Sequence, residues 1–223
     1  MNLKKILIIV PAILCSPAVF AANILDSIYD IDVGSFEIPG YTGMPYLTLA
    51  NGSTYITGWT VNTSNIDLVD NKIWTPSHGQ YSIDLNGTPG GPGGIQTIIP
   101  TTAGTTYRVT FDIAGFTSPG NMTNPKTIET TAAGVTTQFS LTTTDSFSEP
   151  LSLPLGVTWH TRTFDFVATS SSSTVSFVST VSTDGSAMLL DNVSIEVVPE
   201  PSTMAIIGLG TAGFALRRRR RNV

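Results

Sequence analysis

The chain has 223 residues, of which 41% are hydrophobic and 12% are charged, and it contains one cysteine. This apolar content excludes an intrinsically disordered chain, and the length is sufficient for one ordinary folded domain. Cys15 lies in the N-terminal segment, so the rest of the chain has no disulfide, no thiol nucleophile and no cysteine-based metal site.

The charged residues are distributed unevenly. Lys4 and Lys5 lie at the start of the chain and Arg217–Arg221 at its end. The other basic residues are Lys72, Arg108, Lys126 and Arg162. All 16 acidic residues lie between residues 22 and 200, so this segment carries a net charge of −12. Such a charge repels nucleic acid and attracts divalent cations, and we therefore expect no nucleic-acid partner.

The first 21 residues have the three-part pattern of a secretory signal peptide. The Lys4-Lys5 pair is followed by an apolar run, 6–14, and then by a stretch rich in small residues, 16–22. This pattern predicts export by the Sec machinery and cleavage by signal peptidase between Ala21 and Ala22.

Two alternatives for this segment are less favoured. A buried N-terminal helix would be interrupted by Pro11 and Pro17. A lipoprotein cleavage site at Cys15 would have the bulky Leu14 where a small residue is expected.

The body, residues 22–198, shows alternation of apolar and polar residues. Period-2 patterns occur at 107–113, 163–168, 174–179 and 193–197. Turn signals separate such segments, for example Asn51-Gly52, Asn86-Gly87 and Asp184-Gly185. Alternation is typical of strands that bury one face. The sequence therefore predicts an all-β domain, a single jelly-roll β-sandwich.

Short motifs in this body resemble a known domain type. They are Val33-Gly-Ser-Phe-Glu37, Ile56-Thr-Gly-Trp59, Tyr81-Ser-Ile-Asp-Leu-Asn-Gly87, Gly104–Asp112 and Leu190-Asp-Asn-Val-Ser-Ile195. Together they resemble the choice-of-anchor C type of exported domain, which is similar to galactose-binding-like jelly rolls and carbohydrate-binding modules. Val33 departs from the pattern, which has Asn there.

The resemblance implies two kinds of site. Glu37 and Asp191 match the carboxylates that hold a structural calcium ion in related modules, and the alternative is that they cap the first and last strands. Sugar binding would use exposed aromatic side chains as stacking surfaces. Trp74 is the best candidate for an exposed aromatic, with Tyr81 beside it in the candidate site, whereas Trp59 and Trp159 fit a core position better.

The sequence contains no recognisable catalytic motif. His78 and His160 are far apart and lie in no metal-ligand pattern, and no nucleophile elbow is present. We therefore expect a protein that is not an enzyme. Two carboxylates facing each other across a cleft, at about 5 to 10 Å, would instead favour a polysaccharide-processing enzyme.

The last 25 residues form a three-part tail. Pro199-Glu200-Pro201 is followed by an apolar run, 204–216, and by a cluster of five arginines. The run predicts a short transmembrane helix. The positive-inside rule predicts that all five arginines stay on the cytoplasmic side of the membrane, namely Arg217, Arg218, Arg219, Arg220 and Arg221. The alternatives are a permanent single-pass anchor and a nucleic-acid-binding arginine run.

These three parts in this order, residues 199–223, resemble the PEP-CTERM sorting signal. The resemblance implies cleavage near Pro199–Pro201 by an exosortase-like membrane peptidase and removal of the tail. It also implies a Gram-negative host that makes exopolysaccharide, a transient stay at the inner membrane, and delivery to the cell surface or the extracellular biofilm matrix. We therefore expect a non-catalytic matrix protein that binds polysaccharide, or a structural or adhesive surface protein without a sugar site.

Overall fold

The computed structural model of the chain describes residues 22–29, 32–41, 43–117, 124–146, 153–181 and 186–199. The predicted signal peptide, 1–21, lies outside these residues, as does the tail from Glu200 onward with Pro201 and the run 204–216. The arginines expected on the cytoplasmic side also lie outside the described residues, and they are Arg217, Arg218, Arg219, Arg220 and Arg221. Their predicted orientation stays a prediction. No helix among the described residues has the length and apolar character needed to cross a membrane.

The described residues form one short α-helix, one 3₁₀ turn and eleven strands. The helix α1 is Ile24–Ile28, and the 3₁₀ turn is Val33–Ser35. The strands are β1 (Tyr46–Ala50), β2 (Thr60–Thr63), β3 (Asn65–Asp70), β4 (Tyr81–Asp84), β5 (Gly94–Pro100), β6 (Thr106–Thr117), β7 (Lys126–Ala132), β8 (Val135–Leu141), β9 (His160–Val167), β10 (Ser172–Ser179) and β11 (Ser186–Val197).

The strands form two antiparallel sheets. Sheet A has the order β1-β3-β4-β11-β6-β9, and sheet B has the order β2-β5-β10-β7-β8. The segments that alternate in the sequence coincide with β6, β9, β10 and β11. The predicted all-β sandwich is therefore confirmed, and the jelly-roll topology within this class stays a prediction.

The main core lies between the two sheets. Phe111 of sheet A meets Phe177 of sheet B edge to face, with ring centroids 5.0 Å apart. Trp59 is buried against Phe36, and its indole N–H donates to the Val33 carbonyl at 2.9 Å. Each such buried aromatic side chain stabilises the fold by about 1.5–3 kcal/mol. The expectation that Trp59 belongs to the core is confirmed.

The outer face of sheet A carries a second, smaller apolar cluster. It consists of Val69, Trp74, Ala114, Phe116, Ala187 and Leu189. Two segments that lie over it pair through backbone hydrogen bonds, because Thr75 donates to Leu155 at 2.9 Å and Leu155 donates to Ile73 at 2.8 Å. Trp159, expected in the core, is half-buried at the edge of this cluster, where its indole N–H donates to the Thr75 carbonyl.

Candidate binding cleft

A cleft opens on the outer face of sheet A, next to the second apolar cluster. Its volume is about 390 Å³, within the range of sites that hold small organic molecules. Asp67 and Val69 of β3 and Asp84 of β4 line it. The other lining residues are Tyr46, Ile73, Trp74, Asn86, Gly87, Thr88, Pro89, Gly90, Phe116 and Ala187. We call this site the Asp67 cleft.

Two carboxylates lie side by side in the Asp67 cleft. Asp67 and Asp84 are direct partners in the antiparallel ladder of β3 and β4, so both side chains leave the same face of the sheet. Directly opposite Cβ atoms in such a ladder are about 4.5–5.5 Å apart. The two side chains therefore act on a ligand, and on each other, as one pair.

The hydrogen bonds of this pair leave one acceptor unused. Asp67 Oδ2 accepts from the Thr88 hydroxyl at 2.6 Å, and Asp84 Oδ1 accepts from the Asn86 backbone N–H at 2.8 Å. Asp67 is only 5% exposed, and its Oδ1 has no hydrogen-bond partner among the described residues. A buried acceptor without a donor costs about 1–3 kcal/mol, so this oxygen favours any ligand that brings a donor.

The pair holds a proton at neutral pH. Burial is the main cause that raises the pKa of Asp84 to about 8, and the charge of Asp67 acts in the same direction. The backbone N–H of Asn86 opposes this rise. The carboxyl of Asp84 can therefore donate a hydrogen bond at neutral pH.

The turn after β4 forms the rim of the cleft. Asn86 is buried there, its amide donates to the Val181 carbonyl at 2.7 Å, and its Oδ1 accepts from the Met188 backbone at 3.0 Å. Gly87 has a φ of +55°, and a Cβ at this position would clash with Asn65 Oδ1. Both residues of the Asn86-Gly87 dipeptide are therefore needed here. The turn predicted from this dipeptide holds Thr88 against Asp67.

Aromatic side chains form the apolar wall of the cleft, but Trp74 is not the exposed platform that the sequence suggested. It is 5% exposed, and its indole N–H donates to the Ser82 hydroxyl at 2.8 Å. Its position between Lys72 and Pro76 suggested an exposed side chain, but this segment folds back over sheet A. Tyr46, at the edge of the sheet, is 37% exposed and is the accessible aromatic residue of the cleft.

Tyr81 is also buried and does not line the Asp67 cleft. It is 6% exposed, and its hydroxyl donates to the Tyr41 carbonyl at 2.9 Å and accepts from the Tyr41 backbone at 3.3 Å. The ring also packs against that of Tyr41, with centroids 5.4 Å apart. Tyr81 therefore anchors the segment that precedes β1.

The two predicted calcium ligands lie on either side of the segment that leads into β4. Glu37 Oε1 accepts from the backbone N–H groups of Gln80 and Tyr81, each at 2.9 Å. Asp191 Oδ2 accepts from the His78 backbone at 2.9 Å, and its Oδ1 accepts from Asn192 at 2.7 Å. The structure brings the two carboxylates to one place, which we call the Glu37–Asp191 cluster, and uses them to hold backbone amides.

Burial also perturbs this cluster. It is the main cause that raises the pKa of Asp191 to about 8, and the nearby charge of Glu37 adds to the rise. The described residues contain no group of three or more His, Cys, Asp or Glu side chains that could hold a metal ion. Calcium bound here would therefore have Glu37 and Asp191 as its carboxylate ligands, hard oxygen donors that suit the ion.

Comparisons with known proteins assign most of the chain. Residues 30–196 match the family described as a protein of unknown function, DUF642. The chain belongs to the DUF642 family. Residues 197–220 match the PEP-CTERM protein-sorting motif, which confirms the predicted sorting motif and implies export and recognition by exosortase. The likeness of the DUF642 body to the choice-of-anchor C type stays a prediction.

Individual relatives of this DUF642 chain are distant. It is 33% identical over 158 residues to halomucin of Haloquadratum walsbyi. The aligned region covers 70% of this chain but only 2% of halomucin. Among solved structures, a CBM4 module is 15% identical, with a TM-score of 0.40, over 76% of this chain and 100% of that one. TmCBM61, solved in complex with β-1,4-galactotriose, is 12% identical, with a TM-score of 0.44, over 80% and 100%.

The two carboxylates of the Asp67 cleft, Asp67 and Asp84, were not among the sites predicted from the sequence. A signal for them exists in this DUF642 chain, because Ile66-Asp67-Leu68 and Ile83-Asp84-Leu85 repeat the same tripeptide in consecutive strands. An acidic residue between two buried aliphatic ones points to the opposite face of the sheet. The register that makes the two acidic residues neighbours could not be read from the sequence.

Proposed function

We propose that this DUF642 chain is an exported, non-catalytic protein of the cell surface or extracellular matrix that binds polysaccharide in the Asp67 cleft. The PEP-CTERM motif at 197–220 supports export and exosortase recognition. The signal peptide with its Ala21–Ala22 cleavage site, the cut near Pro199–Pro201, the transient inner-membrane stage with cytoplasmic arginines, and the exopolysaccharide-producing Gram-negative host belong to the same proposal.

One observation carries the binding part of the proposal. Asp67 Oδ1 is buried, lacks a hydrogen-bond donor among the described residues, and belongs to a side chain that lines an open cleft. A sugar hydroxyl would supply the missing donor. Because hydrogen bonds to a charged acceptor are stronger than neutral ones, this contact favours a hydroxyl-rich ligand over an apolar one.

The apolar wall supports the same ligand class. Sugar rings present C–H groups on their faces and hydroxyls around their edges, so a sugar site combines an aromatic surface with a few polar groups. The Asp67 cleft has this composition, because Tyr46 supplies accessible aromatic surface and Asp67 and Asp84 supply polar groups. Trp74 contributes a buried edge of the wall and no stacking surface.

The experiment is a binding measurement on a glycan panel with two matched tyrosine variants. Tyr46 and Tyr55 are 37% and 39% exposed, but only Tyr46 lines the cleft. The exported protein, recovered from its native host, should bind at least one neutral polysaccharide of the panel. Tyr46→Ala should weaken that binding about three- to tenfold, since an aromatic contact contributes about 0.5–1.5 kcal/mol, whereas Tyr55→Ala should not.

Two results would contradict the proposal. Failure to bind any glycan of the panel would leave the structural or adhesive role without a sugar site. Equal losses in Tyr46→Ala and Tyr55→Ala would place any binding outside the Asp67 cleft.

The carboxylate pair also favours a second candidate function, glycoside hydrolysis. Glycosidases use a protonated carboxyl as general acid and a second carboxylate as nucleophile or base, with the two groups about 5 to 9.5 Å apart and flanking the scissile bond. Asp84 and Asp67 would take these roles. Release of reducing ends from a bound glycan, abolished by Asp84→Asn, would support the enzyme, and binding without release would support the binding protein.

A further inference from the structure

The Asp67–Asp84 pair also bears on which glycans the cleft accepts. We infer that the Asp67 cleft selects neutral glycans with adjacent free hydroxyls and rejects glycans that carry carboxylate or sulfate groups. This inference rests on the proposed function, because it names the ligand class of the same site.

The first step is the geometry of the pair. The direct pairing of Asp67 with Asp84 in the β3–β4 ladder fixes two oxygen-bearing groups at neighbouring points of the cleft. Thr88 holds one oxygen of Asp67, and Asn86 holds one oxygen of Asp84. The remaining oxygen of Asp67 is buried and unpaired among the described residues, so the pair has a fixed orientation and an acceptor without a donor.

The second step is the match to adjacent hydroxyls. The pair offers the acceptor oxygen of Asp67 beside the protonated carboxyl of Asp84, which can donate. A hydroxyl both donates and accepts, so two neighbouring hydroxyls of a sugar ring can satisfy both members of the pair together. A ligand with a single polar atom would leave one member unpaired in a buried position, which is unfavourable.

The third step is the exclusion of anions. Asp67 lies in the floor of the cleft with 5% of its surface exposed, so its charge is poorly screened by solvent. Within the described part of the chain, the basic side chain whose charge reaches Asp84 is Lys126 of β7, and it does not line the cleft. A carboxylate or sulfate bound beside Asp67 would therefore meet a like charge at short range, which is strongly unfavourable in a desolvated interface.

The test uses ligand pairs that differ only at C6. β-1,4-Mannotetraose and β-1,4-mannurotetraose share linkage and ring stereochemistry, and one carries a hydroxymethyl group where the other carries a carboxylate. Cellotetraose and its C6-oxidised form, a tetraglucuronate, make a second pair. For each pair bound by the exported protein, we expect affinity for the uronate to be lower by about tenfold or more.

A variant then assigns the discrimination to Asp67. Asp67→Asn keeps the shape of the side chain and removes its charge. It should lower affinity for the neutral ligand about ten- to a hundredfold, through loss of a charge-assisted hydrogen bond. It should also reduce the ratio of the affinity for the neutral ligand to the affinity for the acidic ligand. If the role of Asp67 were purely structural, the substitution would weaken the binding of both ligands equally and leave the ratio of the two affinities unchanged. Asp26→Asn, on the exposed side of α1, is the control and should change neither value.

The outcomes separate this inference from the proposed function. Stronger binding of the uronates, or an unchanged ratio in correctly folded Asp67→Asn, would overturn the inference and leave polysaccharide binding intact. Absence of binding to all four oligosaccharides and to the polysaccharide panel would overturn both. Thermal unfolding of each variant establishes that a loss of affinity is not a loss of fold.

Discussion

Two carboxylate sites lie on sheet A, and they differ in what their oxygens bind. In the Glu37–Asp191 cluster, backbone N–H groups of residues 78, 80, 81 and 192 occupy three carboxylate oxygens. In the Asp67 cleft, one buried oxygen of Asp67 is left without a donor among the described residues. Burial raises the pKa of one member to about 8 at both places.

The comparison shows that a perturbed pKa does not by itself distinguish a ligand site from a structural one. Asp84 and Asp191 are shifted by the same main cause, desolvation, and each has a carboxylate neighbour. The count of hydrogen-bond partners does distinguish them. A cluster whose acceptors are satisfied by the chain stabilises the fold, whereas an unsatisfied acceptor that lines a cleft favours a ligand.

The largest expected effect is the loss of stability when Asp191 is replaced, and it tests whether the Glu37–Asp191 cluster is structural. Asp191→Ala leaves the backbone N–H groups of His78 and Asn192 without their acceptor in a buried place. We expect the free energy of unfolding to fall by about 2–4 kcal/mol, measured by urea unfolding of the exported protein. Asp26→Ala, at an exposed position, is the control. A loss below about 0.5 kcal/mol at Asp191 would show that water replaces the carboxylate and that the cluster is not structural.

The next effect is the pH dependence of stability at Asp84. Its folded pKa of about 8 lies above the unfolded value of 3.8, so the native state holds a proton that the unfolded state has lost between these two values. The contribution of Asp84 to stability is fully present below pH 3.8 and is lost as the pH rises to 8, with a slope of at most about 1.4 kcal/mol per pH unit.

Asp84→Asn removes this titration and keeps the shape of the side chain. The variant should be more stable than the wild type at pH 8, and its stability should fall less steeply between pH 4 and pH 8. Thermal unfolding across this range measures both quantities. Asp191→Asn serves as a matched variant, because Asp191 has the same direction of shift and leaves the Asp84 part of the slope in place. Identical slopes in Asp84→Asn and the wild type would refute a folded-state proton on Asp84.

The sequence predicted the sandwich better than it predicted the site. Alternation identified β6 and β11 from residues 107–111 and 193–196, where buried apolar side chains alternate with more exposed polar ones, and Asn86-Gly87 identified the turn at the cleft rim. Burial of Trp74 was not predictable, because it depends on hydrogen bonds between the segments at 73–75 and 155, which are far apart in the chain. The pairing of Asp67 with Asp84 likewise depends on ladder register, which a local pattern does not encode.

The smallest predicted effect is that of calcium on stability. It tests whether the Glu37–Asp191 cluster, and not only the Asp67 cleft, binds a ligand. If Glu37 and Asp191 hold a calcium ion, millimolar calcium should raise the unfolding midpoint of the exported protein and chelator should lower it. A calcium concentration of about 100 times the dissociation constant stabilises a fold by about 2.7 kcal/mol, and weaker binding stabilises it less. Glu37→Gln should abolish the response, whereas Asp67→Asn should retain it. A calcium response that disappears in Asp67→Asn and persists in Glu37→Gln would move the ion to the Asp67 cleft, and the unpaired oxygen of Asp67 would then be a metal ligand and not a sugar acceptor.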